Sequence, residues 1–199
     1  MSHLFESIRL INGQVRNLKY HQQRVERAFE FYGERCHLDL KEYFKQVEMP
    51  KDGLYKLRIS YNINHHKKEH AISPYKRRSI KTLKLVGLTK ETYAHKFEDR
   101  EFIGTYYAGK GERDDVLFHR RGKVLDTSYC NVVFYDGKDW LTPKESLLRG
   151  TMRDRLLDQG VIREGDIFVS EMGNYKKVRL INAMVLWSDK HDILIKNIF

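Results

Sequence analysis

The chain has 199 residues, 41% hydrophobic and 12% aromatic, with 37 Lys+Arg against 27 Asp+Glu for a formal net charge of +10. That apolar content suffices for a substantial core in one domain or two small lobes, which argues against disorder, and no apolar run approaches the roughly 18–20 residues of a membrane-spanning helix. Two cysteines, Cys36 and Cys130, cannot build a disulfide framework, and the N-terminal MSHLFESIRL lacks a secretory pattern, so a cytoplasmic address is expected.

Phe5–Ile11 reads as a strand ending at Asn12-Gly13, a dipeptide that accepts the positive φ values of a tight hairpin, with Gln14–Leu18 as the returning strand. From about His21, Val25, Ala28, Phe29 and Tyr32 recur at helical spacing until Gly33. A short helix from Asp39 carries Leu40, Tyr43, Phe44 and Val47, with Asp39 and Glu42 as a variant capping pattern. Leu54–Ile63 alternates as a half-buried strand, and Ala71–Ser73 and Ile80–Val86 add two more. Thr89–Ala108 reads as a helix. Val116–His119, Lys123–Asp126, Val132–Tyr135 and Trp140–Thr142 read as a meander of short strands. A helix over Thr151–Gln159 lies between Gly150 and Gly160 and is followed by a strand at Ile167–Ser170. The final segment begins as a helix near Lys176 and has strand-like Val185–Trp187 and Ile193–Ile195. The expected class is α+β in two lobes, residues 1–88 and 89–199.

The positive charge favours an anionic partner, such as nucleic acid, a phosphorylated cofactor or a polycarboxylate, without choosing among them. Much of it lies in HHKKEHAISPYKRRSIKTLK, which reads first as a solvated loop and strand edge. His65, His66 and His70 lack the spacing and partners of a metal site, so no metal is expected. Cys130 has no recognisable His/Asp frame and reads as a small buried side chain.

Chemistry enters through a series of segments in order: LFESIRLINGQVRNLKYHQQRVERAF, HKFEDREF, VLDTSYCNVVFYDG, Thr142-Pro143 and LLRGTMRDRLL. From roughly Leu4 to Val178 this series resembles the class IV aminotransferase family, the fold-type IV enzymes that use pyridoxal 5′-phosphate (PLP). Phe5, Glu6 and Ser7 match its FET-type strand, and His21, Arg24 and Val25 match an H-x-x-R-L element on the first helix.

The resemblance implies a PLP cofactor in the cleft between two lobes, an amino-acid-like or dicarboxylate substrate, and a homodimer with neither membrane nor nucleic-acid partner. Lys96 becomes the amine that forms an imine with the cofactor aldehyde and then moves the α-proton. Asp126, where relatives usually have Glu, would face the ring nitrogen, and Asn131 matches the same pattern. Gly150, Thr151 and Met152 would grip the phosphate at a helix start, with Thr151 adding its hydroxyl and Arg24 a guanidinium.

Each residue also has a structural reading: Lys96 as a solvated lysine, Asp126 as a turn cap, Asn131 as a turn hydrogen bond, Arg24 as a surface side chain, and Arg153 as structural. The chain begins almost on the FET-type strand, about two dozen residues later than relatives, so a shortened N-terminal lobe is expected. A second departure lies at SEMGNYKKV, Ser170–Val178, where the family's hydroxyl residue and Pro-Val do not align. The Lys96-x-x-x-Arg100 spacing is similar to that of aminodeoxychorismate lyases, which release pyruvate. An amino-acid aminotransferase is the alternative, and a non-catalytic or nucleic-acid-binding basic protein a further one.

Overall fold

Residues 3–65, 68–89, 91 and 93–199 are described by the computed structural model. They divide into two units, one of residues up to Arg77 together with His95–Asp99, the other of Arg78–Ala94 with Arg100–Phe199. Met1, Ser2, His66, Lys67, Lys90 and Thr92, which fall within segments read above, lie outside the described residues. Among the described residues no helix is long and apolar enough to cross a membrane.

The first unit opens with a hairpin of β1 (His3–Ile11) and β2 (Gln14–Val15), turned by Asn12 at φ 48° and Gly13 at φ 71°. The return strand is shorter than expected because Leu18 already starts helix α1 (Leu18–Phe31). Helix α2 (Leu40–Phe44) is capped by Asp39, whose carboxylate accepts from Glu42 N at 3.0 Å. Strands β3 (Leu54–Asn62) and β4 (Lys68–Pro74) complete an antiparallel sheet in the order β2-β1-β3-β4. Period-two alternation turns Leu4, Ile8 and Leu10 of β1 and Leu57, Ile59 and Tyr61 of β3 toward Val25, Ala28 and Phe29 of α1. The opposite face of the sheet is polar, and β4 presents a lysine-bearing edge.

The second unit holds β5 (Leu83–Gly87), helix α3 (Glu101–Ala108), β6 (Asp115–Arg120) and β7 (Lys123–Thr127), with β5 parallel to β6 and β6 antiparallel to β7. A five-stranded sheet, order β10-β9-β8-β11-β12, is made of β8 (Asn131–Tyr135), β9 (Trp140–Pro143), β10 (Arg163–Gly165), β11 (Lys177–Ile181) and β12 (Asp192–Leu194). Helix α4 (Thr151–Asp158) packs Met152 and Leu156 against Val133 and Ile181.

Four expectations are corrected. Among the described residues the helix expected over Thr89–Ala108 is found only as α3, because the backbone at Lys96 and Glu98 pairs with β1 instead: Phe5 N donates to Lys96 O at 3.0 Å and Glu98 N to His3 O at 2.9 Å. The meander is split between two sheets, since a turn at Thr127–Cys130 carries the chain from β7 in one to β8 in the other. Ile167–Ser170 pairs with β7 at a single bridge and coils into a 3-10 turn from Val169. The segment after Lys176 is strand β11, not a helix, with Val178, Leu180 and Ile181 buried, and Val185–Trp187 leads into another 3-10 turn.

Candidate active site

In the first unit, the alternation that turns Leu4 and Ile8 into the core turns Glu6 there too, and Glu6 is fully buried. An unpaired carboxylate in such a place costs several kcal/mol. Two basic side chains one helical turn apart on α1 meet it: Arg24 Nε donates to Glu6 Oε1 at 2.8 Å, Arg24 Nη2 donates to Oε2, and His21 Nδ1 lies 2.5 Å from Oε2. Burial by itself pushes the Glu6 carboxyl up, but the Arg24 guanidinium and the His21 ring overcome that and hold it at about 2. Burial pushes His21 down, the charges of Arg24 and Lys96 add to this, and Glu6 pulls the other way. With Nδ1 turned to Glu6, the buried Nε2 of His21 has no hydrogen-bond partner among the described residues.

Lys96 lies in the short stretch laid along β1. Its Nζ sits 4.6 Å from the centroid of the Phe5 ring. The chain thus brings Lys96, Phe5, Glu6, His21 and Arg24 into one neighbourhood through two backbone hydrogen bonds and one helix face. Arg24 is buried, not a surface side chain, and its fork engages Glu6.

In the second unit, the turn from β7 to β8 is closed by Thr127, whose N–H donates to Cys130 O at 2.9 Å and whose hydroxyl accepts from Cys130 N at 3.0 Å. The turn folds Asn131 back on Asp126, and Asn131 Nδ2 donates to Asp126 Oδ1 and to Leu148 O, both at 2.8 Å. Leu148 N donates to Asp126 Oδ2 at 3.0 Å. Burial pushes the Asp126 carboxyl up to about 6 against these hydrogen bonds and the more distant Arg153 charge. Arg153 itself ties two strands, donating to Pro143 O at 2.8 Å and Glu164 at 2.6 Å. Cys130 is buried beside Asn182, and burial pushes its thiol up to about 12, so it is no nucleophile at neutral pH.

Gly150 stands before α4 and offers the helix start no side-chain cap. A Cβ there would lie 1.8 Å from Asn131 Oδ1, so only glycine leaves room for the asparagine that holds Asp126. Thr151 is 1% exposed and its hydroxyl has no hydrogen-bond partner among the described residues; Met152 is buried beside it. Gly150→Ala is expected to displace Asn131 and cost about 1–3 kcal/mol. Urea unfolding with and without PLP checks this, and the variant should lose most of any stabilisation that PLP gives the wild type.

Sequence reasoning matched Glu6 and His21 to motifs but gave them no task, and missed Arg58, Ser60 and Glu98. Glu98 accepts from Arg58 Nη2 at 2.8 Å and from Ser60 Oγ at 2.5 Å. The available signal was the polar phase of β3, which puts Lys56, Arg58 and Ser60 on the face away from the core.

Residues 104–189 match the profile of the class IV aminotransferase family. A solved structure from Haemophilus somnus, a candidate 4-amino-4-deoxychorismate lyase, is 35% identical and superposes with a TM-score of 0.85 over 92% of this chain and 97% of its own. The chain belongs to the class IV aminotransferase family. Its α+β architecture is that of fold-type IV enzymes, a family whose members use PLP. An uncharacterized protein from Haemophilus influenzae is 34% identical over 185 residues, covering 91% of this chain and 97% of the relative. A hypothetical aminotransferase of Mycobacterium tuberculosis in its PLP-bound form shares the fold at 18% identity, with a TM-score of 0.76 over 93% of this chain and 78% of that one.

Proposed function

We propose that the chain is a PLP-dependent enzyme acting on an amino-acid-like substrate, with Lys96 as the amine that carries the cofactor. The observation that carries this reading is the buried cluster of Asp126, Asn131 and the start of α4. Asp126 is a carboxylate that burial raises to about 6 and that two neutral hydrogen-bond donors hold, so a cationic ring nitrogen placed against it would lower its pKa and bind well. Among the described residues the helix start beside it has no side-chain cap and the buried Thr151 hydroxyl no partner. That donor set fits a phosphate group. Its chemistry agrees with the PLP held by the M. tuberculosis relative.

When bound, PLP supplies an electron sink for charge developing at the substrate's α-carbon. The remaining tasks fall to the protein. Asp126 would keep a negative charge in place for the ring nitrogen, with Asn131 fixing that carboxylate through its side-chain amide. In the second unit Thr151, Met152 and the α4 dipole would hold the phosphate; in the first, Glu6 holds the Arg24 guanidinium in one plane. Lys96 Nζ would give and take the α-proton, and the burial that pushes His21 down works against a second cation near that amine.

Within the family we infer a lyase-like reaction that releases pyruvate. The H. somnus relative at 35% identity and the Lys96-x-x-x-Arg100 spacing support it. Amino-group transfer to a keto acid is the second reading, supported by the family profile. Adding PLP to the purified protein is expected to turn it yellow. Supplying aminodeoxychorismate should then yield pyruvate and 4-aminobenzoate in equal amounts. Keto-acid-dependent transfer from an amino acid, without pyruvate release, would replace the lyase with the aminotransferase. A protein that stays colourless at saturating PLP would overturn the cofactor assignment.

A further inference from the structure

The polar face of the first unit's sheet carries a side-chain group with no role so far. Opposed positions on β1 and β3 set Phe5 beside Ser60, Ser7 beside Arg58 and Arg9 beside Lys56. The Arg58 guanidinium carbon lies 3.8 Å from the Phe5 ring centroid, and Lys96 Nζ lies 4.6 Å from that same centroid. The two cations are therefore no farther apart than these two distances laid end to end. Glu98, two residues past Lys96, accepts one N–H of Arg58. A guanidinium has five N–H donors, and among the described residues the others on Arg58 meet no acceptor. The Arg58 side chain is 35% exposed, so a small ligand can reach it.

Stacking on an aromatic ring holds a guanidinium in one plane, and an oriented planar fork binds a carboxylate through two parallel hydrogen bonds. An amino acid carries its carboxylate one carbon away from its amine. An arginine fork and a reactive lysine that share one aromatic ring offer those two groups neighbouring partners. We propose that Arg58 is the specificity residue that binds the substrate carboxylate, with Phe5 as its platform and Glu98 as its tether. The inference rests on Lys96 being the reactive amine.

Succinate, a dicarboxylate without an amine, is the probe, titrated by calorimetry into the PLP-loaded protein. Wild type is expected to bind it, and Arg58→Gln to weaken binding by roughly ten- to a hundredfold. Arg58→Lys, which keeps the charge and loses the fork, should fall between them and serves also if the glutamine variant does not fold. Glu98→Gln breaks the same ion pair but frees the guanidinium, so it should bind succinate at least as tightly as wild type. Equal weakening in Arg58→Gln and Glu98→Gln would reduce Arg58 to a structural bridge and overturn the proposal. So would unchanged binding in Arg58→Gln, or no binding by wild type. Borohydride labelling of Lys96 in Arg58→Gln separates this from the cofactor reading. Labelling that persists while succinate binding is lost supports both. Wild-type protein that is never labelled would overturn the cofactor reading and, with it, the role of Arg58 toward an amino-acid substrate, whereas labelled protein whose succinate binding ignores Arg58→Gln would overturn the Arg58 proposal alone.

Discussion

A Lys96→Ala protein is expected to fold normally and to lose turnover by about 10²–10⁴-fold or more, the usual share of a positioned proton-transfer group. The two effects separate because of how Lys96 is held. Its backbone carbonyl, which the substitution keeps, anchors the stretch to Phe5 N at 3.0 Å. Its side chain contributes the contact with the Phe5 ring, worth about 0.5–1 kcal/mol. Steady-state kinetics on PLP-saturated protein and a thermal melt of the same sample check the pair of effects. A variant with wild-type turnover would remove Lys96 from the chemistry, and one that does not fold would make it a structural residue.

The largest stability effect is expected at Glu6. Glu6→Ala leaves the Arg24 guanidinium buried without its counter-charge and His21 without its acceptor, which should cost about 3–5 kcal/mol in urea unfolding at neutral pH. The effect has a pH signature. The folded Glu6 carboxyl, held at about 2 against an ordinary 4.5, contributes stability that is fully present above the ordinary value and is lost as pH falls toward 2. The shift amounts to roughly 3 kcal/mol. The gap between wild type and Glu6→Ala should therefore narrow as the pH drops from about 5 to about 2. A gap that is constant across that range would mean that Glu6 acts by filling space.

Local patterns exposed much of this fold. The alternation of β1 and β3, the apolar stripe of α1 and the Asn12-Gly13 turn are all properties of a few neighbouring residues, and the elements formed where those patterns lie. The stretch around Lys96 was misread because Phe97, Ile103 and Tyr107 keep helical spacing while the backbone before Arg100 answers to β1, more than ninety positions away. β11 was hidden by its lysine and arginine, which frame Val178 and Leu180. The sheet change between β7 and β8 depends on the Thr127–Cys130 turn, and no strand pattern announces it.

The candidate site divides along the same line. The order of motifs singled out Lys96, Arg24, Asp126, Asn131 and the Gly150 segment, because each matches a short signature. The reason Gly150 has to be glycine is a side chain nineteen residues earlier that fills the space of its missing Cβ. Arg58 and Glu98 carry no signature, and their pairing exists only because the Lys96 stretch lies alongside the sheet.

The central claim is that one lysine carries the cofactor. Reducing the PLP-loaded protein with borohydride and mapping its peptides by mass spectrometry tests this directly. The account predicts a pyridoxyl group on the peptide containing Lys96 and its absence from that peptide in Lys96→Ala. A pyridoxyl group on a different lysine, or none at saturating PLP, would contradict it.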